Sequence, residues 1–197
     1  MKNLFFLVLI VFGCLNPIGD KNPKLIIAVV VDQMRYDFLE NLNHNFSETG
    51  FKKLIKDGYN FKNNHFNYVP TVTGPGHASI ATGSTPSVNG IVGNDWFNRS
   101  EKREVYCTTD SSYYNLGGNA YYGNKSPKNM KVKSFADLIK TNNNNNSKTI
   151  SISLKDRAAI FMGGPSADAA YWFYGYDKGE MISSSYYFDK LPNWVSD

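Results

Sequence analysis

At 197 residues and a formal net charge of +4, the chain is long enough for one domain with a sizeable core, and 42% apolar and 15% aromatic residues supply the material for it. Lys and Arg are scattered rather than gathered on one face, which argues against a nucleic-acid partner. Of the two cysteines only Cys107 lies beyond the N-terminal segment, so an internal disulfide framework is excluded and a buried apolar thiol is the plainest reading.

The N-terminus, MKNLFFLVLIVFGC, has Lys2 followed by an apolar run from Leu4 to Phe12. The run is shorter than the roughly 20 residues of a spanning helix and suits an export signal. Val11-Phe12-Gly13-Cys14 is also similar to a lipobox, although Phe12 is bulky where a small residue is usual. Lipidation of Cys14, with membrane attachment, and plain cleavage near Asp20 both stay open. Residues 1–19 are thus read as a signal peptide or lipoprotein signal, which places the mature protein in the periplasm or on the outer membrane.

Leu25–Val31 is an unbroken branched run ending in Asp32, the pattern of a central parallel strand buried on both faces. In open α/β sheets ligand sites lie at that C-terminal end. YDFLENL and GFKKLIKDG read as helices, the second with Phe51, Leu54 and Ile55 on one face and Gly58 as its stop. GHASIAT reads as a helix with Ile80 toward the core. A further helix over SFADLIK is followed by the exposed polyasparagine loop Asn142–Asn146 and by a second buried strand, Thr149–Leu154. AAYWFYGYDKGEMISSSYYF reads as two strands joined at YDKG. Strands alternating with helices give an α/β class. LPNWVSD reads as an element just beginning.

The stretch VPTVTGPGHASIATG holds the first chemistry. Pro70 and Pro75 bracket Thr73-Gly74, which puts Thr73 at the start of the helix, where free N–H groups and the dipole favour an anion. Its hydroxyl is there either a helix cap or a nucleophile facing a phosphate, and local pattern alone favours the cap. His77, four residues on, is by the same local standard a hydrogen-bonded core residue.

Three segments together, VVVDQMRYDFL, YVPTVTGPGHASIATGSTPSVNGIVGNDWF and SISLKDRAAI, in this order and spacing, resemble the alkaline phosphatase superfamily, in its bacterial branch with a threonine nucleophile. The resemblance runs from about Lys24 to the last residue. It implies an alkaline phosphatase-like α/β fold with a mainly parallel central sheet flanked by helices, of which residues 20–197 form the N-terminal part of the catalytic domain. It also implies zinc-dependent hydrolysis of small-molecule phosphate monoesters through a phosphothreonine intermediate. By position, Asp32 would bind zinc, Thr73 would be the nucleophile and touch metal, Asn94 would hydrogen-bond a phosphoryl oxygen, and Lys155 and Arg157 would reach the others. Taken singly, Asp32 could cap a turn, Asn94 could sit in a type I turn, and Lys155 and Arg157 could be surface charges.

The roles suit the chemistry, because phosphoryl transfer needs positioning and neutralisation of charge spread over the equatorial oxygens. Two zinc ions roughly 4 Å apart would activate the attacking oxygen and stabilise the departing one. Two cations and an amide favour a dianionic monoester over a singly charged diester. A nucleotide pyrophosphatase or phosphodiesterase of the same superfamily is the second enzyme reading, and a silent phosphate-binding fragment is the third. Asn89 stands where relatives commonly have histidine, and Ala158 where glycine is usual. The family's remaining zinc ligands are expected beyond this stretch, since His44, His65 and His77 lack the spacing for two zinc sites. The chain is therefore expected to carry the nucleophile half of the site.

Overall fold

The structure, a computed structural model, describes residues 23–118, 123–174 and 179–196. The export signal, Cys14 and most of the YDKG turn lie outside the described residues. The chain divides into two units, Met1–Val31 and Asp32–Asp197.

In the first unit, Leu25–Val31 forms no strand, and Leu25, Ile27 and Val29 are each about three-quarters exposed. This corrects the expectation of a buried central strand. A branched apolar run favours extended backbone, but it becomes a strand only where a neighbour pairs its N–H and C=O groups and covers its side chains. Among the described residues of its own unit it has no strand partner.

The second unit begins with short helices α1 (Asp37–Asn41) and α2 (Phe51–Asp57), with a 3-10 turn at Asn43–Asn45 between them. Both helices fall where the sequence places them, and α2 stops at Gly58, but neither buries a residue. α3 (Thr73–Thr82) ends at Gly83, whose φ of 62° is the left-handed turn-off that glycine makes without strain. α4 (Pro86–Asn89) follows, with proline in its first turn. The strands β1 (Asp95–Asn98) and β2 (Arg103–Tyr106) pair as an antiparallel hairpin, with Asp95 opposite Tyr106.

The second sheet takes β3 (Asn115–Leu116), β4 (Ile150–Ser153), β5 (Ala169–Tyr174) and β6 (Glu180–Ser184), in the order β3-β6-β5-β4. Of its pairings only β4 with β5 is parallel; β5 with β6 and β6 with β3 are antiparallel. The class is α/β as expected, and the sheet among the described residues is mixed. The parallel pair is joined through α6 (Asp156–Gly163), a β-α-β unit in which a helical crossover lets the second strand run in the direction of the first. α5 (Phe135–Asn142) precedes it, and α7 (Asn193–Ser196) is the element beginning in LPNWVSD.

The core gathers around α6, whose Ile160 and Phe161 are fully buried with Ala78 of α3, Trp172 of β5 and Ile182 of β6. Contrary to expectation, Ile80 points outward at 44% exposure, while Ala78 and Ala81 are inside. Small residues let α3 and α6 approach closely, so shape outranks hydrophobicity in choosing the buried face. β4 exists as expected but lies at the sheet edge, with Ile150 and Ile152 exposed. The asparagine tract is a turn in which Asn144 and Asn145 take positive φ, a conformation that asparagine tolerates.

Candidate active site

Five residues from four places in the sequence have to meet for the expected chemistry, and three of them touch. Thr73 is the first residue of α3, buried to 8% exposure, with Val72 rather than Thr73 at the cap position. Its hydroxyl caps nothing: Oγ1 donates to Oδ2 of Asp32 at 3.0 Å. Lys155, which leads from β4 into α6, donates from Nζ to the same Asp32 oxygen at 3.1 Å and reaches Thr73 Oγ1 at 3.4 Å.

The protonation of this trio follows from its contacts. Burial of Asp32 pushes its carboxyl upward, but hydrogen bonds from Lys155 and Thr73 and the charge of Lys155 outweigh it, so the pKa lies below the ordinary value. An ionised carboxylate only accepts, and an ammonium only donates. The Thr73 proton must therefore point at Asp32, and with one Oγ1 lone pair facing the Lys155 ammonium a second is left for an electrophile.

Asn94 lies just before β1. Its Oδ1 accepts the Gly74 N–H at 2.7 Å. This fixes the amide orientation and leaves Nδ2, a donor pair, for a phosphoryl oxygen. It also corrects the picture of an open helix N-terminus, since the Gly74 N–H is used and Pro75 has none. A Cβ on Gly74 would sit 3.1 Å from Asn94 Oδ1 and 3.2 Å from the Gly93 carbonyl oxygen, so the bare glycine is what lets Asn94 come so close.

Arg157, in the first turn of α6, is not among the groups touching Thr73. Its Nη1 donates to the phenolic oxygen of Tyr106 at 2.8 Å. Tyr106 in turn donates to Asp156 Oδ1 at 2.7 Å, and Thr108 Oγ1 donates to Asp156 Oδ2 at 2.7 Å. Lys125 Nζ stands 3.6 Å from Asp156 Oδ2 and 4.0 Å from the centre of the Tyr106 ring. Burial pulls the Arg157 pKa down, but Tyr106 and Asp156 more than restore it, so the guanidinium stays charged. Sequence reasoning missed Tyr106, Thr108 and Lys125. Asp156 lay in plain view between Lys155 and Arg157, and nothing local marked it as the hub.

The other candidates settle as structural. Cys107 is fully buried, and burial with the nearby Asp156 charge raises its thiol to about 12, so it is an inert core residue. His77 Nδ1 lies 2.8 Å from the Thr73 carbonyl oxygen, to which it must donate. Asn89 is fully buried: it donates to Ser79 Oγ and the Ser84 carbonyl and accepts from the Ile91 N–H, which binds the turn between α3 and α4. Among the described residues no group of three or more His, Cys, Asp or Glu side chains could hold a metal ion, and no helix is long and apolar enough to cross a membrane.

A threonine hydroxyl on a carboxylate and a lysine touching both thus meet at the start of α3, with the Asn94 amide bonded to the next residue, Gly74. The family to which the chain belongs is shown by its match, over residues 26–191, to the Type I phosphodiesterase / nucleotide pyrophosphatase family. Within it the chain is 45% identical over 175 residues to alkaline phosphatase PhoV of Synechococcus elongatus, a match covering 89% of this chain and 32% of that protein. It is 44% identical, with the same coverage, to a Myroides odoratus protein named a calcium-transporting ATPase. The crystal structure of wild-type alkaline phosphatase PafA superposes with a TM-score of 0.82 at 43% identity, covering 85% of this chain and 32% of that one. The chain thus spans about a third of the length of the relatives it matches.

Proposed function

We propose that this chain carries the nucleophile and phosphoryl-binding part of a phosphomonoester hydrolase. The observation that carries the reading is the shared contact of Thr73 Oγ1 and Lys155 Nζ on Asp32 Oδ2. Thr73 Oγ1 forms a bond to phosphorus as the bond to the leaving oxygen breaks, and the proton it gives up has Asp32 Oδ2 as its hydrogen-bonded acceptor. Water then cleaves the phosphothreonine and regenerates the hydroxyl. Lys155 meets one phosphoryl oxygen beside the attacking atom, Asn94 Nδ2 a second and Arg157 a third, so that charge developing in the transition state meets two cations and an amide.

Asp32 and Thr73 fit a metal in part. They place a carboxylate oxygen and a hydroxyl oxygen 3.0 Å apart, with an ammonium already resting against both, so the pair suits a cation. A tetrahedral zinc needs four ligands, and these two would be its contribution from this chain. Zinc bound there would supply Lewis acidity that lowers the pKa of the Thr73 hydroxyl.

The family description favours a second reading, a phosphodiesterase or nucleotide pyrophosphatase. Lys155 and Arg157 oppose it, since two cations match a dianion better than a monoanion. The test is steady-state kinetics of the full-length, zinc-loaded protein on p-nitrophenyl phosphate and bis-p-nitrophenyl phosphate. We expect higher kcat/KM on the monoester, and its near-complete loss in Thr73→Ala. Greater efficiency on the diester would establish the second reading, and an undiminished Thr73→Ala would remove the nucleophile.

A further inference from the structure

Asp156 and Arg157 are adjacent in sequence and packed close together, yet they do not form the bidentate pair common between such groups. Arg157 Nη1 is 3.8 Å from Asp156 Oδ1, beyond hydrogen-bond reach, with both side chains less than a fifth exposed. Into the gap comes the Tyr106 hydroxyl, 2.8 Å from the guanidinium and 2.7 Å from the carboxylate. Arg157 can only donate and ionised Asp156 can only accept, so the phenol must give its proton to Asp156 and turn a neutral lone pair to Arg157. Meanwhile Thr108 takes the other carboxylate oxygen, with Lys125 nearby. The buried Nε of Arg157 has no partner among the described residues, so the bond to Tyr106 is what fixes the guanidinium.

We infer that Tyr106 is a positioning residue: its hydroxyl holds the Arg157 guanidinium while keeping it from a direct hydrogen-bonded pair with Asp156, so that its remaining donors stay available to an anionic substrate. A bidentate pair would have spent two of those donors on the carboxylate. The neutral spacer instead keeps a fixed, charged guanidinium in a largely buried place. Lys125 Nζ stands over the ring face, 4.0 Å from its centre, and helps to hold the ring plane through a cation–π contact.

The inference rests on Arg157 being a phosphoryl ligand, and a double-mutant cycle separates the two. In the full-length, zinc-loaded enzyme, kcat/KM on p-nitrophenyl phosphate and the inhibition constant of inorganic phosphate are measured for Tyr106→Phe, Arg157→Ala and the double variant. Tyr106→Phe should lower kcat/KM roughly ten- to a hundredfold, the range carried by a hydrogen bond to a charged group, and weaken phosphate binding in parallel. In the Arg157→Ala background the same change should do nothing further. Additive losses, or no loss in Tyr106→Phe, overturn the positioning role while leaving Arg157 as a ligand. An Arg157→Ala variant of full activity overturns the ligand reading itself, and the inference with it. Thr108→Val provides a second variant should Tyr106→Phe fold poorly: it frees one carboxylate oxygen, and its smaller loss should also vanish without Arg157. A loss that persists there counts against the inference.

Discussion

Two glycines of α3, two positions apart, should respond in opposite directions to the same added methyl group. Neither takes a positive φ, so backbone strain does not enter and only space decides. At Gly76 the nearest atom to an added Cβ is the Thr71 carbonyl oxygen at 3.8 Å, an ordinary contact. Gly76→Ala should therefore gain the helix-propensity difference, about 0.5–1 kcal/mol. At Gly74 the same atom would lie 3.1 Å from Asn94 Oδ1, 3.2 Å from the Gly93 oxygen and 3.4 Å from Cys107 Sγ. Overpacking of this kind costs about 1–3 kcal/mol, more than the propensity gain returns. Relief requires moving Asn94, which weakens its 2.7 Å bond from the Gly74 N–H. The net expectation for Gly74→Ala is a loss of about 1–2 kcal/mol, so the variants should differ by about 1.5–3 kcal/mol. Urea-unfolding midpoints at constant m measure this directly. Because Asn94 is displaced, Gly74→Ala should also lower monoesterase kcat/KM. Equal stabilisation of both variants would refute the close approach of Gly74 to Asn94, and with it the orientation assigned to the Asn94 amide.

Other consequences concern the scaffold behind the site. Ser134 caps α5 by accepting the Asp137 N–H at 3.1 Å and donating to Asp137 Oδ2 at 2.8 Å, so Ser134→Ala should lower unfolding free energy by about 1–2 kcal/mol. Equality with the unaltered protein in the same urea titration would count against that cap. Burial pushes Asp168 upward, but Lys140, the Thr149 N–H and Lys148 outweigh it and hold its carboxyl at about 2, against an ordinary 3.8. A folded-state pKa below the unfolded one means stability fully present above about pH 4 and lost as pH falls toward 2, about 1 kcal/mol after solvent screening. Asp168→Asn should flatten its share of that decline, while Asp110, also held low by Ser126, the Ser112 N–H and Lys128 against the effect of burial, continues to contribute. An unchanged slope in the variant would show that Asp168 carries none of it.

Periodicity and punctuation made the local elements legible. α1, α2, α5 and the pair β5 and β6 fall where apolar spacing, Gly58 and the YDKG turn put them, because stop signals, turns and side-chain periods act over a few residues of the same chain. The proposed nucleophile could be named for a different reason: the family resemblance carried by three separated motifs pointed to Asp32, Thr73, Asn94, Lys155 and Arg157 among many polar residues.

Tertiary structure decided what depends on a neighbour from elsewhere in the chain. Leu25–Val31 has a strand's composition and no strand, since pairing belongs to two segments and sequence shows one. Ile80 faces out because the fit of α3 against α6 selects small residues. The Thr73 hydroxyl could have been a cap until Asp32 and Lys155, 41 and 82 positions away, were seen to hold it. Tyr106 carried no signal of its own, for its hydrogen bonds with Arg157 and Asp156 join residues 51 and 50 positions apart. Sequence by itself determined the chemistry each side chain could perform; contact across the fold determined which proton points where, and so which residue can act.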